Sequence, residues 1–284
     1  MSVHPGVREL LRAGGVLVLS GAGLSTESGI PDYRGPTGTQ RRHAPMTYQA
    51  FTGSPQARRR YWARSYLGWR QIADAQPNDG HRAVTSLQRD GSVDAIITQN
   101  VDGLHQAAGA QDVIELHGGL DRIVCLECGR RETRSDVDAR LRAANPGFDA
   151  AVLVVNPDGD AEVSDDRLDE FVPVSCLFCG SDLIKPDVVF FGESVPRPRV
   201  DACFALVEDA SSLLVLGSSL TVMSGLRFVR RAAACDIPVA IVNQGPTRAD
   251  DLAAVKVEAP LGAFLSSLAV SHSPLAQQGS HASQ

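Results

Sequence analysis

The chain has 284 residues, 43% of them hydrophobic and 21% charged, with a formal net charge of -6. This composition excludes collagenous, low-complexity and wholly disordered chains, and its acidic balance provides no broad positive field for duplex nucleic acid or an anionic membrane. The length suits about two domains, or one domain carrying an insertion. No apolar run approaches the roughly 18 residues needed to span a bilayer, and the segment before Val16 has no secretory pattern. A cytoplasmic location is expected, with neither a nucleic-acid nor a membrane partner. Among the 27 basic residues only Lys185 and Lys256 are lysines, a skew that a GC-rich coding sequence accounts for.

In chain order, the first strand signal is the apolar run Val16 to Leu19, which leads into Gly21, Ala22 and Gly23. From Pro31 to Thr52 the chain is rich in Gly, Pro, Arg and Thr and reads as a long loop. Helical periodicity over His81 to Arg89 is followed by a strand at Ala95 to Thr98. A second helix is expected over Val200 to Ala210, and further strands at Leu213 to Gly217 and Pro238 to Asn243. Strands that are apolar throughout are buried on both faces, the signature of a parallel sheet covered by helices. The expected fold is α/β, a Rossmann-like doubly wound parallel sheet with a small zinc-ribbon module inserted. The sheet domain comprises residues 1-124 and 180-269, the insertion 125-179, and a disordered polar tail 270-284.

The insertion is bounded by CLEC at Cys125 and Cys128 and CLFC at Cys176 and Cys179, with 47 residues between the two pairs. Two CxxC knuckles, each followed by glycine, match a closed tetrahedral zinc site, and a fourth thiolate leaves no open position for catalysis. The loop-closure penalty for the long separation grows only logarithmically. Cys203 and Cys235 lie in apolar helical surroundings and are expected in the core.

The glycine turn after the first strand would let backbone amides approach a pyrophosphate. A hydride-transfer fingerprint is disfavoured: Thr26 stands where a third glycine belongs, and Gln40, Arg41 and Arg42 where an acidic residue is needed. His117 follows Val113, Ile114 and Leu116 at the end of a short apolar strand. There it suits a general base titrating near neutrality. Asn100 and Asp102 sit at the end of another predicted strand, although Asn-Val-Asp-Gly is also a plausible tight turn. VVFFG, Val188 to Gly192, reads as a short exposed strand to which a peptide could add by main-chain hydrogen bonds.

GIPDYR, TQNVDGLH (Thr98 to His105), ELHG (Glu115 to Gly118) and KPDVVFFGE (Lys185 to Glu193), in this order with GSS and NQGPT, resemble the sirtuins, the NAD-dependent protein deacylases. The resemblance spans about residues 8 to 268, and GIPDYR, RYWARSYLGW and NQGPTRADDL are most similar to the class II branch. It implies NAD as co-substrate, one structural zinc ion and acylated lysine in proteins as substrate. His117 would activate a ribose hydroxyl after nicotinamide has left, with Asn100 positioning the ribose and a water. Gln99, Val101 and Asp102 would contact the ribose and the carboxamide, and Ile30, Asp32, Tyr33 and Arg34 would belong to the same NAD site. Gly21, Ala22, Gly23, Gly217, Ser218, Ser219, Asn243, Gln244, Gly245 and Leu261 would serve the phosphates and adenosine. Val189, Phe190, Phe191 and Gly192 would meet the acyl-lysine peptide.

Deacetylation is the default activity that the resemblance implies. Mono-ADP-ribosylation of protein and removal of long-chain or lipoyl groups at the same NAD site are the alternatives. Acidic-acyl removal in related enzymes uses a Tyr-x-x-Arg pair, whose positions here fall on Ser65 and Gly68, so weak desuccinylation is expected. A non-catalytic nucleic-acid-binding zinc ribbon is disfavoured by the acidic residues of the insertion.

Overall fold

The computed structural model describes residues 4-33, 45-150, 152-163 and 165-272. Its helices and strands are α1 (Pro5–Ala13), β1 (Val16–Ser20), α2 (Tyr48–Gly53), α3 (Pro55–Asp74), α4 (Asp79–Arg89), β2 (Val93–Thr98), α5 (Leu104–Ala107), β3 (Val113–Glu115), β4 (Gly118–Cys125), β5 (Arg131–Thr133), α6 (Arg134–Ala144), β6 (Val152–Val155), β7 (Ala161–Val163), β8 (Ile184–Val188), α7 (Arg197–Asp209), β9 (Ser212–Leu216), α8 (Met223–Ala234), β10 (Val239–Val242), β11 (Val255–Val257) and α9 (Leu261–His272).

Six parallel strands form the main sheet in the order β11-β10-β9-β1-β2-β3. Side chains alternate between the faces with the period of two that a strand imposes. Val16, Val18, Leu214, Leu216, Ala240 and Val242 pack with α1, α4 and α9 on one face. Leu17, Leu19, Leu213, Val215, Val239 and Ile241 pack with α7 and α8 on the other. Burial on both faces is why these strands carry no polar alternation. β1 lies between β2 and β9, so the chain winds outward from it in both directions, and a crevice opens at the carboxyl ends of β1 and β9.

A second body is built on the antiparallel sheet β5-β4-β8 and the hairpin β6-β7. Its strands reach past the span 125-179, because β4 begins at Gly118 and β8 ends at Val188. Its core also takes in Phe51, Tyr61, Trp62 and Tyr66 from α2 and α3, packed with Ile123, Val137, Phe148 and Phe171. A buried guanidinium joins these segments: Arg134 donates to the Ser65 hydroxyl and carbonyl at 3.0 and 2.9 Å and lies against the rings of Trp62 and Trp69.

Several local expectations shift. The stretch Pro31 to Thr52 contains the start of α2, whose first turn is capped by the Thr47 hydroxyl. The strand expected at Val188 to Gly192 instead runs from Ile184 to Val188, and only an isolated bridge from Phe191 to Thr47 continues beyond it. Lys185 explains that shift: its buried ammonium holds the Pro186 and Val188 carbonyls and pairs with Glu193 at 3.2 Å, while Glu193 accepts the Phe190 amide. The chain therefore turns where an extended strand would continue. Cys203 is in the core, but Cys235 closes α8 and is exposed. The final helix continues to His272, past residue 269; residues 273-284 lie outside the described ones. Among the described residues, no helix is long and apolar enough to cross a membrane.

Candidate active site

At the crevice between β1 and β9 the chain has no side chains to spare. A Cβ on Gly21 would come within 2.8 Å of the Gly217 carbonyl oxygen, and one on Gly23 within 2.9 Å of the Gly217 Cα. Gly217 itself takes φ +62, a left-handed conformation that glycine adopts without steric cost. The two turns meet backbone to backbone and form one wall of a cleft of about 1580 Å³. That exceeds the roughly 300 to 1,000 Å³ typical of a small-molecule pocket and leaves room for a dinucleotide beside a substrate side chain.

Every sequence-selected site residue other than the cysteines and Arg34 lines this cleft; Arg34 lies outside the described residues. Leu261 enters from the start of α9, and Ser218 and Ser219 follow β9. Asn243 follows β10 and donates to the carbonyls of Gln244 and Gly245, both at 3.0 Å, which shapes that turn. Phe190 is buried in the second body's core and Phe191 is partly exposed, with the Tyr33 ring at its edge 6.0 Å away.

The opposite half is ordered by hydrogen bonds from the end of β2. The Asn100 side chain donates to the Gly21 carbonyl and the Ser25 hydroxyl, both at 3.1 Å. Ser25 donates to Asp102 at 2.7 Å, and Asp102 also accepts the Leu104 amide at 2.9 Å. Asp102 thus closes the first turn of α5, so the tight-turn reading of Asn-Val-Asp-Gly and a cleft-lining role coexist. Burial raises the Asp102 carboxyl above the usual carboxylate range. Gln99 accepts the Ser218 hydroxyl proton at 2.6 Å and so links the two halves.

His117 stands between them. Its Nδ1 is 2.9 Å from the Gln99 carbonyl oxygen and its Nε2 2.9 Å from the Ser224 hydroxyl. A carbonyl only accepts, so Nδ1 carries the proton and Nε2 holds the lone pair. Burial lowers the ring below its ordinary titration range, helped by Arg199 and Arg227 and opposed by the Gln99 contact. The imidazole is therefore neutral near pH 7 and equipped as a base.

The second body supplies the four thiols. Cys125, Cys128, Cys176 and Cys179 place their sulfurs within 4.8 Å of one another, with pairs at 3.6 and 3.7 Å. A tetrahedral zinc site with Zn-S bonds of about 2.3 Å needs neighbouring sulfurs about 3.8 Å apart, so the donor set fits one structural zinc ion.

The Sir2 family pattern matches residues 21-224. The chain belongs to the Sir2 family. Its relatives include NAD-dependent protein deacetylase 1 of Streptomyces coelicolor, 60% identical over 263 residues that cover 93% of this chain and 88% of the relative. NAD-dependent protein deacetylase 1 of Corynebacterium efficiens is 53% identical, covering 86% and 89%. Among solved structures, a complex of Sir2 with a p53 peptide and NAD+ superposes with a TM-score of 0.75 at 31% identity, covering 94% of this chain and 97% of that one. Sir2 bound to acetylated peptide gives 0.73 at 30% identity, covering 94% and 97%.

Sequence reasoning missed several contributors to this Sir2 cleft, five of which bear on the site. Ser25 belongs to the same glycine-turn phrase and was findable there. Tyr61 from α3, and Pro157 and Asp158 from the β6-β7 turn, line the cleft through long-range packing that no local pattern encodes. Ser224 follows β9 by eight residues and carries no motif signal of its own.

Proposed function

We propose that this Sir2-family chain is an NAD-dependent protein-lysine deacetylase that transfers the acyl group to ADP-ribose and releases nicotinamide. The observation that carries the reading is His117, a neutral imidazole with its lone pair on Nε2, in a cleft whose other wall is the paired glycine turns. NAD, when bound, supplies the electrophilic ribose carbon that accepts the acyl oxygen.

In this reading Gly21, Ala22 and Gly23 with Gly217, Ser218 and Ser219 hold the phosphates, since backbone and hydroxyl groups meet there without bulky side chains. Asn243, Gln244, Gly245 and Leu261 surround the adenosine. On the nicotinamide side, Asn100 positions the ribose and Asp102 and Val101 hold the carboxamide, with Gln99, Ile30, Asp32 and Tyr33 completing the pocket. The higher-than-usual carboxyl of Asp102 suits it to hydrogen bonding with a neutral amide. Val189, Phe190, Phe191 and Gly192 receive the acyl-lysine peptide. His117 takes the proton of a ribose hydroxyl once nicotinamide has gone. The four cysteines bind zinc and hold the second body, which we assign to the insertion 125-179 and its flanking strands. The natural partners are acylated lysines on proteins of the cytoplasm, with no nucleic-acid role.

Acidic acyl groups fit poorly. Ser65 is engaged by Arg134, and a Cβ on Gly68 would lie 2.4 Å from the Gly159 carbonyl oxygen, so the β6-β7 turn fills the place a larger side chain would need. The test is an acyl-peptide panel with NAD, followed by nicotinamide release and product mass. Deacetylation that exceeds desuccinylation on the same peptide, and depends on NAD, is expected. Deacylation without NAD refutes the reading, and label from NAD ending on protein rather than on a soluble acyl-ADP-ribose establishes ADP-ribosyl transfer instead.

A further inference from the structure

Both ring nitrogens of His117 are occupied before any substrate enters. Because Nδ1-H is given to the Gln99 carbonyl, the contact at Nε2 has one sense: the Ser224 hydroxyl donates to the lone pair at 2.9 Å. An imidazole has a single such lone pair, in the plane of the ring. A hydroxyl in the cleft cannot reach it directly without displacing Ser224. Ser224, like His117, lines the cleft, so the hydroxyl that holds the lone pair belongs to the surroundings of a bound substrate.

The fold holds this hydroxyl in place. Ser224 is the second residue of α8, and the next residue, Gly225, is pressed against Gln99: a Cβ there would fall 2.4 Å from the Gln99 amide nitrogen. That close approach packs the start of α8 against the side chain of Gln99, the residue after β2 whose carbonyl orients His117.

We infer that Ser224 is a proton relay between a substrate hydroxyl in the cleft and Nε2 of His117. The O-H bond of the cleft hydroxyl breaks and its proton goes to Ser224 Oγ. The Ser224 proton passes to Nε2. Serine ends as it began, the ring becomes imidazolium with a proton on each nitrogen, and the substrate oxygen keeps the electron pair. The inference rests on the deacetylase reading for the identity of that hydroxyl.

The test compares Ser224→Ala, Ser224→Val and Ser224→Thr. Threonine keeps the hydroxyl, and valine has nearly its shape without one. Acyl transfer should fall at least about tenfold in the alanine and valine proteins and recover in the threonine protein, with single-turnover nicotinamide release and the KM for acetyl-peptide little changed in all three. The independent readout is nitrogen NMR of His117 in protein without NAD or peptide: a hydrogen-bonded Nε2 lone pair in the unaltered and threonine proteins, and a free one in the other two. Alanine and valine proteins as fast as the unaltered one, or faster, overturn the relay and make Ser224 a group that merely covers the base. An Nε2 resonance indifferent to all three substitutions overturns it as well. If the unaltered protein releases no nicotinamide, the deacetylase reading fails, and the NMR result still decides whether Ser224 holds the lone pair.

Discussion

The two bodies of the molecule reach stability by different routes. In the main sheet β1, β9 and β10 are buried end to end, and successive residues belong to opposite cores. The second body is gathered from α2 and α3, the β4-β5-α6 segment, the β6-β7 hairpin and β8, around an apolar core of its own. Its joints are polar: Arg134 on Ser65, Arg64 bidentate on Asp160 at 2.8 and 2.6 Å, and the four thiols. A body held by apolar area tolerates loss of one contact, since the rest of the area remains. Where segments of a body are joined by buried polar contacts and a metal site, each joint matters singly, because an abandoned buried partner costs more than the bond itself contributes.

That contrast can be broken deliberately. The largest effect should come from Cys125→Ala. Structural zinc sites bind with roughly 10 kcal/mol or more, which is also folding free energy. Metal analysis should show zinc lost, and limited proteolysis should cut residues 125-179 while the six-stranded sheet stays protected. Full zinc stoichiometry in the mutant would count against the four-thiolate site.

Acidification should strike the main body next. His81 and His105 are buried with ring centroids 5.2 Å apart; burial lowers them to about 4 and about 3, with smaller help from Arg82 on the first and His81 on the second. Their folded values lie below the ordinary 6.5, so the unfolded chain binds more protons and stability falls as pH drops from about 6.5 towards 4. The change from 6.5 to about 4 at His81 alone corresponds to roughly 3 kcal/mol. Asp160 and Asp102, raised by burial, act in the opposite sense, but they stand against three histidines, since burial lowers His117 as well. Urea denaturation at pH 7.5, 5.5 and 4.5 measures the slope, and a flat profile would show that the histidines are not buried neutral.

Arg134→Ala removes a guanidinium that donates twice to Ser65 and fills the space between two tryptophans. A loss of about 3 kcal/mol is expected, visible as a lower denaturation midpoint. Gly68→Ala should have the smallest effect, about 1 to 2 kcal/mol, because it crowds only the Gly159 turn. Gly53→Ala, where a Cβ has nothing within 4 Å, should cost nothing because alanine is the better helix former; a comparable loss there would show that crowding does not set the cost.

The same contrast explains what was legible in the sequence. Val16 to Leu19, Leu213 to Gly217 and Pro238 to Asn243 announce their strands because burial on both faces is a local property of composition. The glycine turn, Asn100 and His117 occupy strand ends, where a parallel sheet gathers its ligands, and so they could be picked out together. The CxxC pairs were equally plain, since their spacing is the chemistry. The partners of the second body were not legible: nothing near Ser65 predicts Arg134, and nothing near Tyr61 predicts that Pro157 and Asp158 will share its cleft. The strand expected at VVFFG moved because Lys185 and Glu193, eight residues apart, turn the chain with a buried ion pair that an apolar pattern does not register. Ser224 escaped notice because its importance lies wholly in the atom it touches.

The central claim is tested most directly by the product mass balance of an acetyl-lysine peptide incubated with NAD, for the unaltered protein and His117→Ala. One nicotinamide, one deacetylated peptide and one acetylated ADP-ribose per turnover are predicted, with acyl transfer reduced at least about a hundredfold in the variant and an acid limb of activity below pH 6.5 in the unaltered protein. Free acetate formed without consumption of NAD, or undiminished transfer by His117→Ala, would contradict the account.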